Sequence, residues 1–203
     1  VTLRSRLLAL FPMLVGAAAL ASLVWFVLAP HWLPALSFVF LLYGLPLLAF
    51  RLHERLWPLQ EGFSSLTGGD YSPWWGGHQI QLIYMAFPAL ETVLRLVPGL
   101  FSLWLRLWGS EIGRGIYWTP HLQVGDRSML KLGEGVVVGQ SNGIFGHIIQ
   151  PKASGLLLLV RRVEIGAGAF IGAGGYIGPG VRIEAGAVIE AGARLKPNEK
   201  RAP

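Results

Sequence analysis

Proton transfer near neutral pH is the chemistry histidine is suited to, and this chain offers few candidates for it. Among its 203 residues are five histidines, His31, His53, His78, His121 and His147, and no cysteine. The missing cysteine excludes a thiol nucleophile, disulfides and Cys-ligated zinc. A serine hydrolase is disfavoured because the Gly-x-Ser-x-Gly elbow does not occur. No metal site is expected: a three-histidine zinc centre finds only His121 and His147 in the C-terminal half, far apart in sequence. His147, ending Ser141-Asn142-Gly143-Ile144-Phe145-Gly146-His147, is the first candidate for a general base. Asn142 is placed to orient an acceptor or to hold the imidazole tautomer, although in Asn142-Gly143 it equally reads as a turn residue. His121, in Thr119-Pro120-His121, is the weaker alternative, and Asp126 and Arg127 read as an exterior bend.

The elements that must position these groups announce themselves by period. Ile165, Ile171, Ile177, Ile183, Ile189 and Leu195 fall six apart, and Gly166, Gly172 and Gly178 follow the first three. Four residues after each of the first five aliphatics stand Ala169, Gly175, Val181, Ala187 and Ala193, small enough for a second inward position. Ile112, Trp118, Val124 and Leu130 keep the same spacing, and Leu132, Val138 and Ile144 keep it displaced by two. A repeat that buries its apolar face only against the next unit predicts a stacked solenoid. Six residues per side predicts an all-β left-handed parallel β-helix from about 111 to 203. The count fails between Ile144 and Ile165, so an excursion near 147–162 is expected, its tip at Gln150 to Gly155.

The front of the chain obeys another rule. From Leu7 to Phe50 there is no Asp, Glu, Lys or Arg, which is enough apolar sequence for two membrane crossings of about 20 residues each. Pro30 and Pro34 mark a hairpin between them, so residues 1–55 are read as two transmembrane helices. A cleaved signal peptide is the competing reading, against which the apolar run continues through Leu23 to Leu28. Arg4 and Arg6 precede the first span, Arg51 and Arg55 follow the second, and the hairpin carries neither Lys nor Arg. By the positive-inside rule both termini and the β-helix face the cytoplasm, in an integral cytoplasmic (inner) membrane protein. Residues 56–110 read as a loop with interfacial tryptophans Trp57, Trp74 and Trp75, then amphipathic helices on the membrane with Glu91 and Arg95 paired at four-residue spacing. The net charge of +6 lacks any dense basic run, so no nucleic-acid partner is expected.

Phe145-Gly146-His147, an insertion, Val163-Glu164-Ile165-Gly166, Ile177-Gly178-Pro179-Gly180-Val181 and Ala185-Gly186-Ala187-Val188-Ile189 together resemble the hexapeptide-repeat acyltransferase superfamily. The order is similar to the branch of xenobiotic and maltose acetyltransferases and to the β-helical domains ending some peptide synthetases. The likeness covers about the last ninety residues. It implies a homotrimer with no permanently bound cofactor, taking acetyl- or acyl-coenzyme A as donor, and His147 as base in a cleft between subunits. It also implies a donor groove past Phe170, Gly172, Ala173 and Gly174, with Arg194 and Lys196 toward the phosphates. Joined to the apolar front half, the expected activity is acyl transfer to a hydroxyl or amine of a lipidic or amphiphilic acceptor. A soluble sugar or amino compound as acceptor, and a non-catalytic trimeric scaffold, are the alternatives.

Overall fold

The computed structural model describes residues 2–203. The chain divides into two compact units, one running to Leu59 and including Gly68–Ala86, the other made of Gln60–Thr67 and Phe87–Pro203.

The first unit is helical. Leu3–Leu28 and Trp32–Leu56 are both long and apolar enough to cross a membrane. Pro30 ends the first, and the His31 imidazole caps the second by accepting from Leu33 N at 3.2 Å. Val15, Ala19 and Ser22 form the buried stripe of the first helix, and Ser22 Oγ donates to Pro34 O across the pair at 2.9 Å. The second helix widens into a π-turn at Phe40–Gly44, just before Pro46. Proline has no N–H for the carbonyl of Leu42, four residues back. The buried Tyr84 hydroxyl supplies the missing donor at 2.7 Å.

Tyr84 belongs to a third helix, Pro73–Ala86, which differs from the sequence expectation. Residues to His78 read as a loop and those beyond as an interfacial helix. Instead Trp74, Ile80, Ile83 and Tyr84 are buried against both long helices. Gly76 and Gly77 permit this, since a Cβ on Gly77 would stand 3.2 Å from the Phe50 ring. At the ends of the two long helices the Arg4 guanidinium lies 4.2 Å from the Trp57 ring centre and 4.9 Å from that of Tyr71.

The second unit is a three-sided parallel β-helix. Its faces are sheets of five, four and four strands, joined coil to coil. Ile165 pairs with Ile183, Ile171 with Ile189 and Ile177 with Leu195, so one complete turn is eighteen residues. Two kinds of glycine maintain it. One kind follows the inward aliphatic: a Cβ on Gly139 would lie 2.7 Å from Ile171 O in the next coil. The other kind sits at corners with positive φ, such as Gly168 at 68°, and recurs every six residues. His121 and Ser141 occupy two of these left-handed corners. The expected excursion is a β-hairpin of His147–Lys152 and Gly155–Val160, extended to three antiparallel strands by Gly62–Ser65 from the segment read as loop.

The helices Ala89–Arg95 and Leu100–Trp108 also depart from expectation. Phe101, Trp104, Leu105 and Trp108 are buried, Trp118 Nε1 of the first coil donates to Ser102 Oγ at 2.8 Å, and Arg106 donates to the carbonyls of Ile112 and Gly113. A β-helix exposes apolar core and an unpaired strand edge at each end. The amphipathic face read as a membrane contact covers the first coil instead.

Candidate active site

His147 stands where the third face would turn into the first, at the first residue of the hairpin. Its Nδ1 is 2.6 Å from Asp126 Oδ2, and the same carboxylate oxygen accepts from Gly146 N at 2.9 Å. The Asp126 side chain is 3% exposed and that of His147 16%, so the carboxylate is sealed while the ring reaches the surface. A carboxylate on Nδ1 fixes the tautomer that keeps the lone pair on Nε2. This is the arrangement of an oriented general base.

Asp126 is the one member of this pair that the sequence did not single out. Its signal is the displaced register: Ile112 pairs with Leu132, twenty residues on, where regular coils take eighteen. The two extra residues enlarge the corner after Val124, which closes as a tight turn with Met129 N donating to Asp126 O at 3.1 Å. The widened corner turns Asp126 inward under the hairpin, where a regular hexad would have left an exposed bend.

The aromatic wall of the site follows from coil-to-coil stacking. Phe145 lies over Tyr176 of the next coil with ring centres 5.3 Å apart, and its edge meets His147 at 6.3 Å. Burial raises the Tyr176 phenol above the ordinary tyrosine value; the Arg194 guanidinium, 5.7 Å from its ring centre, opposes that effect and Asp126 adds to it. Tyr176 is therefore a neutral hydroxyl, not a second base.

Asn142 is assigned a different task. It occupies the inward position four residues after Val138 and is buried at another corner, the one entering the third face. Its Nδ2 donates to Gly139 O at 2.6 Å and Gly172 O at 2.8 Å, and its Oδ1 accepts from Gly175 N at 2.8 Å. The amide is spent on joining two coils, so the acceptor- or tautomer-orienting role is not what its geometry serves. It also explains Gly175, where a Cβ would meet Asn142 Oδ1 at 2.7 Å. His121, at its corner, is exposed.

The expected donor wall is divided between faces. Phe170 projects from the second face in an outward column with Tyr117, Val137 and Val188. Gly172, Ala173 and Gly174 follow it at the corner, where Gly172 N donates to Ile189 O, Gly174 N to Gln140 O, and Ala173 O accepts from Gly192 N. These three residues make a small-residue surface at that corner. Arg194 lies on the third face, beside Tyr176, and Lys196 follows it in an exposed turn where Lys196 N donates to Glu199 Oε2 at 2.7 Å.

No protein-family model matches the chain, and no curated protein matches it in sequence. Among solved structures, it is similar to a maltose O-acetyltransferase from Clostridium difficile 630, at 17% identity and a TM-score of 0.40, over 57% of this chain and 75% of that one. It is similar too to a hexapeptide-repeat containing acetyltransferase from Vibrio cholerae, at 14% identity and a TM-score of 0.42, over 58% and 83% of the two chains. A serine acetyltransferase isoform from Entamoeba histolytica, solved with cysteine, aligns at 12% identity with a TM-score of 0.22, over 100% and 81%.

Proposed function

We propose that the chain is a membrane-anchored acyltransferase in which His147 is the general base and Asp126 its orienting carboxylate. The observation that carries the reading is the 2.6 Å contact between His147 Nδ1 and the sealed Asp126 carboxylate at the corner where the β-helix opens into its hairpin. The acceptor hydroxyl or amine attacks the thioester carbonyl of acyl-coenzyme A while His147 Nε2 takes its proton. The tetrahedral intermediate then collapses, the carbon–sulfur bond breaks, and the leaving thiolate recovers the proton from the imidazolium. No covalent enzyme intermediate is required.

Two helices of 26 and 25 residues support the anchor, and the arginines flanking them support a cytoplasmic β-helix. Apolar sequence on this scale, joined to a base-bearing unit, supports a lipidic or amphiphilic acceptor. The homotrimer is supported by the outward column of Tyr117, Val137, Phe170 and Val188. Its neighbouring face instead carries the charged column Glu111, Lys131, Glu164, Arg182 and Lys200, three cations and two anions. Phe170 then belongs to a surface shared between copies, where the donor groove would lie, with Arg194 and Lys196 toward the donor's phosphates.

The test incubates detergent-purified protein with labelled acetyl- and longer acyl-coenzyme A and a lipid extract, beside His147→Ala. Label is expected in a lipid product, with turnover reduced about 10²- to 10⁴-fold in the variant. Equal turnover by the variant would remove His147 from the chemistry. Label passing only to soluble amines or sugars would replace the lipidic acceptor.

A further inference from the structure

The corner that carries Asp126 is anchored on its other side by a buried ion pair. Arg127, its sequence neighbour, is fully buried, and its guanidinium meets the Glu91 carboxylate in two contacts, Nε to Oε1 at 2.7 Å and a terminal nitrogen to Oε2 at 2.9 Å. Glu91 is itself 3% exposed and accepts a third bond from Trp104 Nε1 at 3.1 Å. The Arg127 carbonyl accepts from Ser110 Oγ at 2.7 Å, and Leu130 N donates to the same hydroxyl at 3.0 Å. Arg95 donates to Leu122 O at 2.9 Å; burial pulls its guanidinium below the ordinary arginine value, an effect that the Glu91 charge opposes and the Arg127 charge adds to.

Two buried carboxylates and two arginines thus share this end of the β-helix. Of the carboxylates, Glu91 takes Arg127 and Asp126 takes His147. A buried guanidinium stripped of its carboxylate seeks another strongly, because nothing else in a dry interior balances its charge. The carboxylate nearest in sequence is Asp126. We propose that Glu91 is a positioning residue for the acyl-transfer site: by neutralising Arg127 it prevents that guanidinium from drawing Asp126 off the His147 imidazole. This rests on the reading of His147 as base and adds a residue on the capping helix Ala89–Arg95, outside the repeat, that acts through Asp126 without touching substrate.

The role differs from that of a structural pair in ways that can be measured. Glu91→Gln lowers kcat about tenfold to a hundredfold with KM for donor and acceptor unchanged. The same substitution in an Asp126→Asn background has no further effect, because the contact it protects is already gone. Glu91→Met with Arg127→Met removes both charges at similar volume and returns kcat to within about threefold of the parent. In protein labelled with ¹⁵N-histidine, the His147 ring-nitrogen shifts report the Nδ1-protonated tautomer in the parent and in the Met/Met variant, and a mixture in Glu91→Gln. That spectrum needs no turnover, so failure of the acyl-transfer reading and failure of this proposal are told apart. An additive loss on Asp126→Asn, a Met/Met variant no better than Glu91→Gln, or an unchanged His147 spectrum in Glu91→Gln would each overturn it. Should Glu91→Gln not fold, the Met/Met spectrum decides: the parent tautomer supports the proposal, and its loss refutes it.

Discussion

The helical unit and the β-helix unit use apolar residues in opposite ways. Leu20, Val27, Leu28, Trp32, Leu48 and Leu52 of the two long helices point outward, while Ser22, Tyr84 and His53 are inside. In the β-helix Ile144, Ile165, Ile171, Ile177 and Leu195 are inside, and a column of charged side chains lines one face. Their backbones differ as well. A helix closes its hydrogen bonds four residues away and is complete within itself. A β-helix strand closes its bonds a full coil away, so a residue such as Ile165 depends on one eighteen positions distant. A local change should therefore stay local in the helices and spread in the β-helix.

The sharpest way to break that comparison is to add one methyl group on each side. Gly139→Ala puts a Cβ 2.7–2.8 Å from backbone atoms of the next coil, which cannot move alone. The expected cost is about 3 kcal/mol or more, seen as a large fall in the unfolding temperature of the β-helix. Gly16→Ala, in the first long helix, meets nothing within 4 Å and should stabilise by about 0.5–1 kcal/mol. A mild Gly139→Ala would show that coils slide past one another, contrary to the stacking described.

Between these extremes lie the two buried polar anchors. Tyr84→Phe leaves the Leu42 carbonyl without its donor and should cost about 1–3 kcal/mol, read as loss of the helical unit's thermal stability in detergent. Asn142→Ala breaks three hydrogen bonds, two of them between coils, and should cost at least as much, yet leave turnover per folded molecule unchanged. Lost turnover at full folding would return Asn142 to the chemistry.

A smaller effect is expected from Tyr176. Its folded-state value is raised, so the unfolded chain gives up the phenol proton first. Stability is then fully present below the ordinary tyrosine value of about 10 and falls as pH rises through the folded one. Tyr176→Phe should flatten that alkaline decline, and unfolding midpoints measured from pH 8 to 11 would reveal it.

The period of six exposed the β-helix before any contact was known, because Ile165 to Leu195 can be buried together only by stacking. The lengths of the two apolar stretches followed as directly, a helix's reach being fixed per residue. His147 stood out by its place where the repeat fails. The sequence also holds the two-residue displacement before Leu132, but not what it does: turn Asp126 inward beneath the imidazole. Periodicity is a property of neighbours along the chain, whereas the Asp126–His147 and Glu91–Arg127 pairs join residues 21 and 36 positions apart. The same limit explains Glu91 and the helix Leu100–Trp108. An apolar stripe announces that a helix will bury one face, but only the open end of the first coil decided what that face would cover.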